Sequence, residues 1–310
     1  MQMANGFMIS SAMYVVAKIS IADMLAAGPQ PVSTLAQKSQ TNEDALYRIL
    51  RALSSVGLFT ELTNRTFALT APAGLLRSGT PDSMRDLVLW MTNKLHHDVW
   101  SEMMHSAKTG QSAVEHLYKR PCFEVFQPHE EFTVEFNNAM TNISAGTVPA
   151  VLKAYDFSGI HKLVDIGGGH GFLICEILKA YPEMRGVLYD MAPVIADARP
   201  KIEAQGLSFR LESASGSFFE SAPEGGDAYI MQHIIHDWND AKCHTILSHV
   251  HRAMKPNGKL LVLDSVVQPG AQGDPSAWLD IEMLVFPGGR ERTEQEFREL
   301  FAKAGFRLTR

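Results

Sequence analysis

The stretch Leu163-Val164-Asp165-Ile166-Gly167-Gly168-Gly169-His170-Gly171 reads as a buried strand that leaves through a glycine turn into a helix. Glycines there allow a tight turn and let the backbone approach a ligand closely. Asp190 stands nineteen residues after Gly171, at the end of the next strand-like run. An acidic side chain in that place can accept hydrogen bonds from both hydroxyls of a ribose. The spacing then selects the nucleoside. A dinucleotide fingerprint, G-x-G-x-x-G counted from Gly167, needs a glycine where Phe172 stands, and the chain instead has D-x-G-x-G-x-G over 165–171. The loop therefore suits an adenosine carrying a zwitterionic amino-acid tail, as in S-adenosylmethionine, better than a pyrophosphate. A ligand-free strand exit is the alternative, and Asp190 counts against it.

Around this stretch the runs KLVDIG, RGVLYD, LSFRLES, DAYIMQH and KLLVLDSV are strand-like, and the segments 172–181, 194–204 and 240–254 are helix-like. Strands separated by helices predict an α/β, doubly wound parallel sheet with its ligand at the carboxyl ends of the strands. The first 90 residues read differently. Leu46, Ile49, Leu50 and Leu53 mark one helical face opened by Thr41 or Asn42 and closed by Gly57. LFTEL and TFALT follow, joined by Thr63-Asn64-Arg65, as a hairpin. Helices followed by a two-stranded wing predict a winged-helix unit. From about 100 to 157 the pattern is helical, broken at Pro149.

Length and composition bound the function. The 310 residues suffice for two domains. Cys122, Cys175 and Cys243 are unpaired in spacing, which argues against a disulfide framework or zinc ribbon and fits a reducing cytoplasm. A net charge of −6 and a pI near 6.1 argue against nucleic acid. Residues 1–90 carry seven Lys/Arg against six Asp/Glu, and the candidate recognition helix opens with Glu43-Asp44, which would face phosphate unfavourably. The apolar N-terminal segment is interrupted by Lys18 and Asp23 before membrane-spanning length, so no membrane partner is expected.

The remaining chemistry-bearing run is Met231-Gln232-His233-Ile234-Ile235-His236-Asp237-Trp238. Taken with GGGHG, YDMAPVI, GSFF, HIIHDW and DIEMLVFPGGRERT in this order, behind a winged N-terminal region, the chain resembles the class I S-adenosylmethionine-dependent small-molecule O-methyltransferases of the caffeate/hydroxyindole type and their bacterial relatives. The likeness covers essentially the whole chain.

The resemblance implies His236 as general base, with Asp280 orienting its imidazole. A hydroxyl must lose its proton as it attacks a methyl carbon, and an imidazole of ordinary pKa near ~6.5 can take it. No metal is required, because the sulfonium supplies the electrophile. Gly167, Gly169, Gly171, Asp190, Met191, Ser217, Phe218 and Gln232 are the expected cofactor-binding residues. Plant members usually have Asp where Ser217 stands and Lys where Gln232 stands. Asp237 is expected to cap the following helix. The acceptor pocket is expected from Phe136, Met140 and Ile143, spaced on one helical face, and from His233. The same residues would also serve as ordinary core.

The resulting expectation is a Rossmann-like methyltransferase sheet preceded by a winged-helix dimerisation domain. Residues 1–95 form the dimerisation domain, and residues 96–310 a helical linker plus the catalytic domain. The protein would be a homodimer acting on a small-molecule hydroxyl. Two rivals remain: an S-adenosylmethionine-binding relative that hydroxylates or decarboxylates, and a winged-helix DNA-binding regulator. Sheets of this kind usually end in an antiparallel pair, and the sequence reaches Arg310 inside the first strand of that pair, so a final strand is expected to be missing.

Overall fold

A computed structural model describes residues 3–126, 129–270 and 272–309. The chain divides into two compact units, one of Met1–Asp98 with His129–Gly146 and one of Val99–Pro128 with Thr147–Arg310.

In the first unit the helix Glu43–Ser55 buries Leu46, Leu50 and Leu53. Asn42 opens it by accepting the Ala45 N–H at 2.9 Å. Glu43 and Asp44 occupy the first turn, where the helix dipole favours negative charge, so the acidic pair has a structural reason to be there. Strands β1 (Gln30–Pro31), β2 (Phe59–Leu62) and β3 (Thr66–Leu69) form an antiparallel sheet in the order β1-β3-β2. The β2–β3 hairpin pairs Phe59 with Leu69 and Leu62 with Thr66. Its Phe59 and Phe67 join Leu35 and the helix leucines in one core. The expected wing is therefore present.

The second unit holds β4 (Lys162–Ile166), β5 (Arg185–Asp190), β6 (Leu211–Ser215), β7 (Gly226–Gln232) and β8 (Met254–Leu263). They make one parallel sheet in the order β6-β5-β4-β7-β8. The central strands are buried on both faces, as parallel strands under helices must be. Leu163, Leu188 and Ile230 pack towards the helices Phe172–Ala180 and Ala192–Ala204. Val164, Val187, Tyr229 and Met231 pack on the other face towards the helices Asp240–Ala253 and Glu294–Lys303. Chain order reverses at β4: β5 lies on one side of it and β7 on the other. Such a reversal opens a crevice at the carboxyl ends of the strands.

Two expectations change. The helix Glu130–Ala154 runs through Pro149 without ending there. A proline removes one backbone donor from a helix, and here the division between the two units falls just before it, between Gly146 and Thr147. The run Leu207–Arg210 is not strand, and β6 starts only at Leu211. Among the described residues no strand follows β8, and Phe306 and Leu308 pack beside the Glu294–Lys303 helix. Among the same residues no helix is long and apolar enough to cross a membrane.

Candidate active site

At the end of β4 three glycines take left-handed backbone angles, Gly167 at φ 68°, Gly169 at 58° and Gly171 at 76°. L side chains avoid this region. A Cβ at Gly167 would also come within 2.4 Å of Ile234 Cδ1, whereas one at Gly169 would meet nothing within 4 Å. Gly169 therefore turns an open side outward. Its N–H donates to Asp190 Oδ2 at 2.8 Å, and the Met191 N–H donates to Asp190 Oδ1 at 2.7 Å. Asp190 thus ties the loop to the end of β5, and each carboxylate oxygen keeps a further lone pair for a ligand hydroxyl. Burial raises the Asp190 carboxyl above its ordinary pKa, and the two backbone hydrogen bonds oppose that rise.

Asp165 lies beneath the same loop. Both of its carboxylate oxygens are buried without a hydrogen-bond partner. Burial, with a smaller contribution from the charge of Asp190, pushes its pKa up to about 8. Sequence reasoning used Asp165 only as the first letter of the glycine pattern. In the structure it is an acid on a face otherwise lined by Leu163, Ile174 and Leu188. A cation brought nearby would stabilise its ionised form. A loop that must be glycine, a carboxylate with spare lone pairs and an unsatisfied acid together fit an adenosine bearing a cationic tail.

The neighbouring side chains are compatible with that fit. Met191 is 42% exposed beside Asp190. Phe218 stands edge-on to Phe219 and Trp238, with ring centroids 4.9 and 6.1 Å away. Ser217 Oγ accepts the Phe219 N–H at 3.3 Å. Gln232, the last residue of β7, donates from Nε2 to Thr147 Oγ1 at 2.8 Å.

His236 lies in the single 3-10 turn Ile235–Asp237 that follows β7. Its Nδ1 is 2.6 Å from Glu291 Oε1, its Nε2 is 3.6 Å from Asp237 Oδ1, and its backbone N–H donates to Asp264 Oδ2 at 3.1 Å. Burial alone, the largest single influence, would depress the pKa of this imidazole. The Glu291 hydrogen bond and the charges of Asp237, Asp264 and Glu291 outweigh it and raise the pKa to about 9. Asp237 is itself pushed up to about 7 by burial. His233 stacks on His236 with centroids 5.2 Å apart, and burial followed by the charge of His236 lowers its pKa to about 4.

The expected partner of His236 is corrected here. Asp280 does not hold the imidazole; Glu291 does. Asp280 sits on the helix Ser276–Val285, and its Oδ1 accepts the backbone N–H of Glu291 at 2.8 Å. Its contribution to the ring is indirect, through the placement of Glu291. Asp237 does not cap the next helix either, since Asn239 accepts the Lys242 N–H at 3.0 Å. Asp264 was also missed. It directly follows β8, and an acid at the carboxyl end of a parallel strand is the same signal that marked Asp190.

The loop that carries Glu291 is docked through backbone contacts. Gly289 passes so close to the His236 turn that a Cβ would lie 2.0 Å from His236 O, and the Arg290 N–H donates to that oxygen at 2.8 Å. Arg292 is 1% exposed. It donates to Ile235 O at 3.1 Å and to Trp238 O at 2.8 Å, and it pairs with Asp240 at 2.8 Å. One guanidinium thus holds both sides of the turn that presents His236. Phe136, Met140 and Ile143 lie half-buried in the Glu130–Ala154 helix, within the first unit, where Phe136 packs 5.5 Å from the Trp90 ring.

The profile of an O-methyltransferase domain matches residues 100–307, and that of an O-methyltransferase dimerisation domain matches residues 1–78. The phenazine O-methyltransferase PhzM of Lysobacter antibioticus is 38% identical over 310 residues, spanning all of this chain and 91% of its own. The 3-amino-4-hydroxybenzoate 4-O-methyltransferase of Streptomyces cremeus is 37% identical, with 99% and 84% covered. The crystal structure of LaPhzM superposes with a TM-score of 0.96 at 38% identity, covering 100% of this chain and 93% of that one. Human N-acetylserotonin methyltransferase in complex with SAM gives 0.89 at 25% identity, with 98% and 90% covered. The glycine loop, the acid at the end of β5 and the winged N-terminal unit thus meet whole-chain agreement with enzymes of one kind. The chain belongs to the S-adenosylmethionine-dependent O-methyltransferases of small molecules that carry an N-terminal dimerisation domain.

Proposed function

We propose that the enzyme methylates a phenolic or similar hydroxyl on a small, largely apolar aromatic molecule, using His236 as general base and no metal ion. The observation that carries this reading is the 2.6 Å contact between His236 Nδ1 and Glu291 Oε1. It leaves Nε2 as the free ring nitrogen, opposite a carboxylate that stabilises the protonated ring. The aromatic acceptor is drawn from relatives named for phenazine and 3-amino-4-hydroxybenzoate.

When bound, S-adenosylmethionine supplies a methyl group made electrophilic by its sulfonium. Gly167, Gly169 and Gly171 would hold it by their backbone, and Asp190 has the spare lone pairs that would accept its ribose hydroxyls. Met191, Ser217 and Phe218 would hold the adenine, and Gln232 the amino-acid end, with Asp165 buried beneath the loop as a nearby acid. His233, beside the base, would meet the acceptor; the resemblance implies Phe136, Met140 and Ile143 as further acceptor-binding residues. As the acceptor oxygen attacks, its proton passes to His236 Nε2, and the Glu291 carboxylate, hydrogen-bonded at Nδ1, stabilises the resulting imidazolium. Holding acceptor and donor together does the rest, since well-oriented pairs reach effective molarities of ~10⁵–10⁸ M.

Incubation with S-adenosylmethionine and a panel of phenols, quinols and hydroxylated aromatic acids should yield a product heavier by one methylene unit, at a rate that a chelator does not lower. A product heavier by one oxygen, or loss of turnover on chelation, contradicts the reading. The cofactor assignment has its own test. Asp190→Asn removes the charge from hydrogen bonds worth about 1.5–3 kcal/mol, so affinity for S-adenosylmethionine, measured by calorimetry, should fall about tenfold. Unchanged affinity would remove Asp190 from the site.

A further inference from the structure

His233, His236 and Asp264 present one ligand atom each within 4.8 Å of one another, the only such three-residue group among the described residues. We propose that these three side chains bind a divalent transition-metal ion of the zinc type, and that the ion shuts the reaction off by taking the lone pair of the base. Metal binding rests on the geometry alone. The shut-off rests also on the role proposed above for His236.

Three observations support the site. His233 Nε2 and Asp264 Oδ1 are both buried without a hydrogen-bond partner. Such atoms are rarely left unsatisfied, and each exception asks for a ligand. Asp264 is already anchored through its other oxygen, which accepts the His236 N–H, so Oδ1 is the oxygen left to coordinate. The second observation is the backbone of His233, which sits at φ 56°. A histidine held in the left-handed region is uncommon, and such positions gather at functional sites. The turn sets its ring against that of His236, 29° from parallel. The third is the carboxylate behind the base. Glu291 on Nδ1 reproduces the carboxylate–histidine–metal arrangement, which fixes the tautomer and turns Nε2 towards the ion.

Two nitrogens and one carboxylate oxygen select zinc, copper or nickel over magnesium or calcium, which prefer all-oxygen shells. The charges agree, because Asp237, Asp264 and Glu291 surround the ring while Arg292 is turned onto backbone carbonyls and Asp240. Bonds of about 2.0–2.2 Å require the ligand atoms to draw in to roughly 3.3 Å of one another. That closure falls to His233 and Asp264, which are half-buried. A water completes the fourth position.

Chelator-stripped enzyme titrated with zinc chloride in a calorimeter should bind one ion per chain at this site, and magnesium chloride should give no heat. His233→Asn, which tolerates the left-handed backbone, and Asp264→Asn should each weaken zinc binding at least about tenfold. Because a variant can lose its fold, cobalt(II) added to the wild-type enzyme gives a second readout, the intense visible bands of a four-coordinate nitrogen and oxygen site. Methyl transfer should fall with the same zinc midpoint as binding and return on adding chelator. Absence of a stoichiometric site, or zinc binding that both folded variants retain, overturns the proposal and points to other ligands such as the stacked His105–His116 pair. Zinc bound through His233 and Asp264 with turnover intact leaves the site standing, and contradicts the shut-off together with the role of His236.

Discussion

His236→Gln lowers turnover by about 10²–10⁴-fold while leaving S-adenosylmethionine affinity nearly unchanged. The magnitude is that of removing a general base from a proton transfer. The separation of the two effects follows from position. His236 belongs to the turn after β7, whereas the glycine loop and Asp190 follow β4 and β5. Glutamine fills a similar volume, and the backbone contacts through Gly289, Arg290 and Arg292 do not depend on the ring. The fold and the presentation of the turn should survive. A kcat within a few-fold of wild type would show that the proton leaves by another route.

Glu291→Gln should cost turnover on a similar scale, about 10²–10⁴-fold, for a different reason. As an acceptor, Glu291 favours the ring with its proton on Nδ1 and its lone pair on Nε2. A glutamine amide can donate to Nδ1 instead and place the proton on Nε2, so the ring can no longer accept one there; a wrong tautomer of this kind is enough to abolish base catalysis. The pH behaviour has a definite sign. The hydrogen bond and charge of Glu291 both raise the pKa of His236, while burial lowers it. Losing Glu291 must therefore move the pH at which activity sets in downward. Glu291→Asp tests the alternative that the residue only fills space: it keeps the charge but shortens the reach, and should retain more activity than Glu291→Gln. Equal losses in the two variants would assign Glu291 to packing.

What the sequence disclosed is what short-range chemistry determines. The glycine loop needs only consecutive residues, with positive φ at Gly167, Gly169 and Gly171, and Asp190 is found from the regular rise of strand and helix between it and the loop. The hairpin and the Glu43–Ser55 helix follow from local periodicity and an Asn cap. The partner of His236 was not legible in this way. Glu291 is 55 residues away, and its approach depends on Gly289 fitting against His236 O and on a buried arginine that clamps the opposite loop. Asp280 and Glu291 both lie in the segment DIEMLVFPGGRERT that carries the resemblance, and Asp280 is spent on the Glu291 backbone. Whether a carboxylate meets a ring or an amide is a matter of about one side-chain length, set by packing rather than spacing. Asp165 was overlooked for the opposite reason: its pattern was read for its glycines, and only burial reveals an acid without a partner.

The most direct test of the central claim is the pH dependence of kcat/KM for one methyl acceptor, compared between the wild-type enzyme and His236→Gln. In the wild type kcat/KM should climb with pH and level off near about 9, where His236 gives up the proton that Glu291, Asp237 and Asp264 help it to hold. That break should vanish in the variant, leaving only the titration of the acceptor itself. A profile of the same shape in both enzymes, or a flat one in the wild type, would contradict His236 as the base.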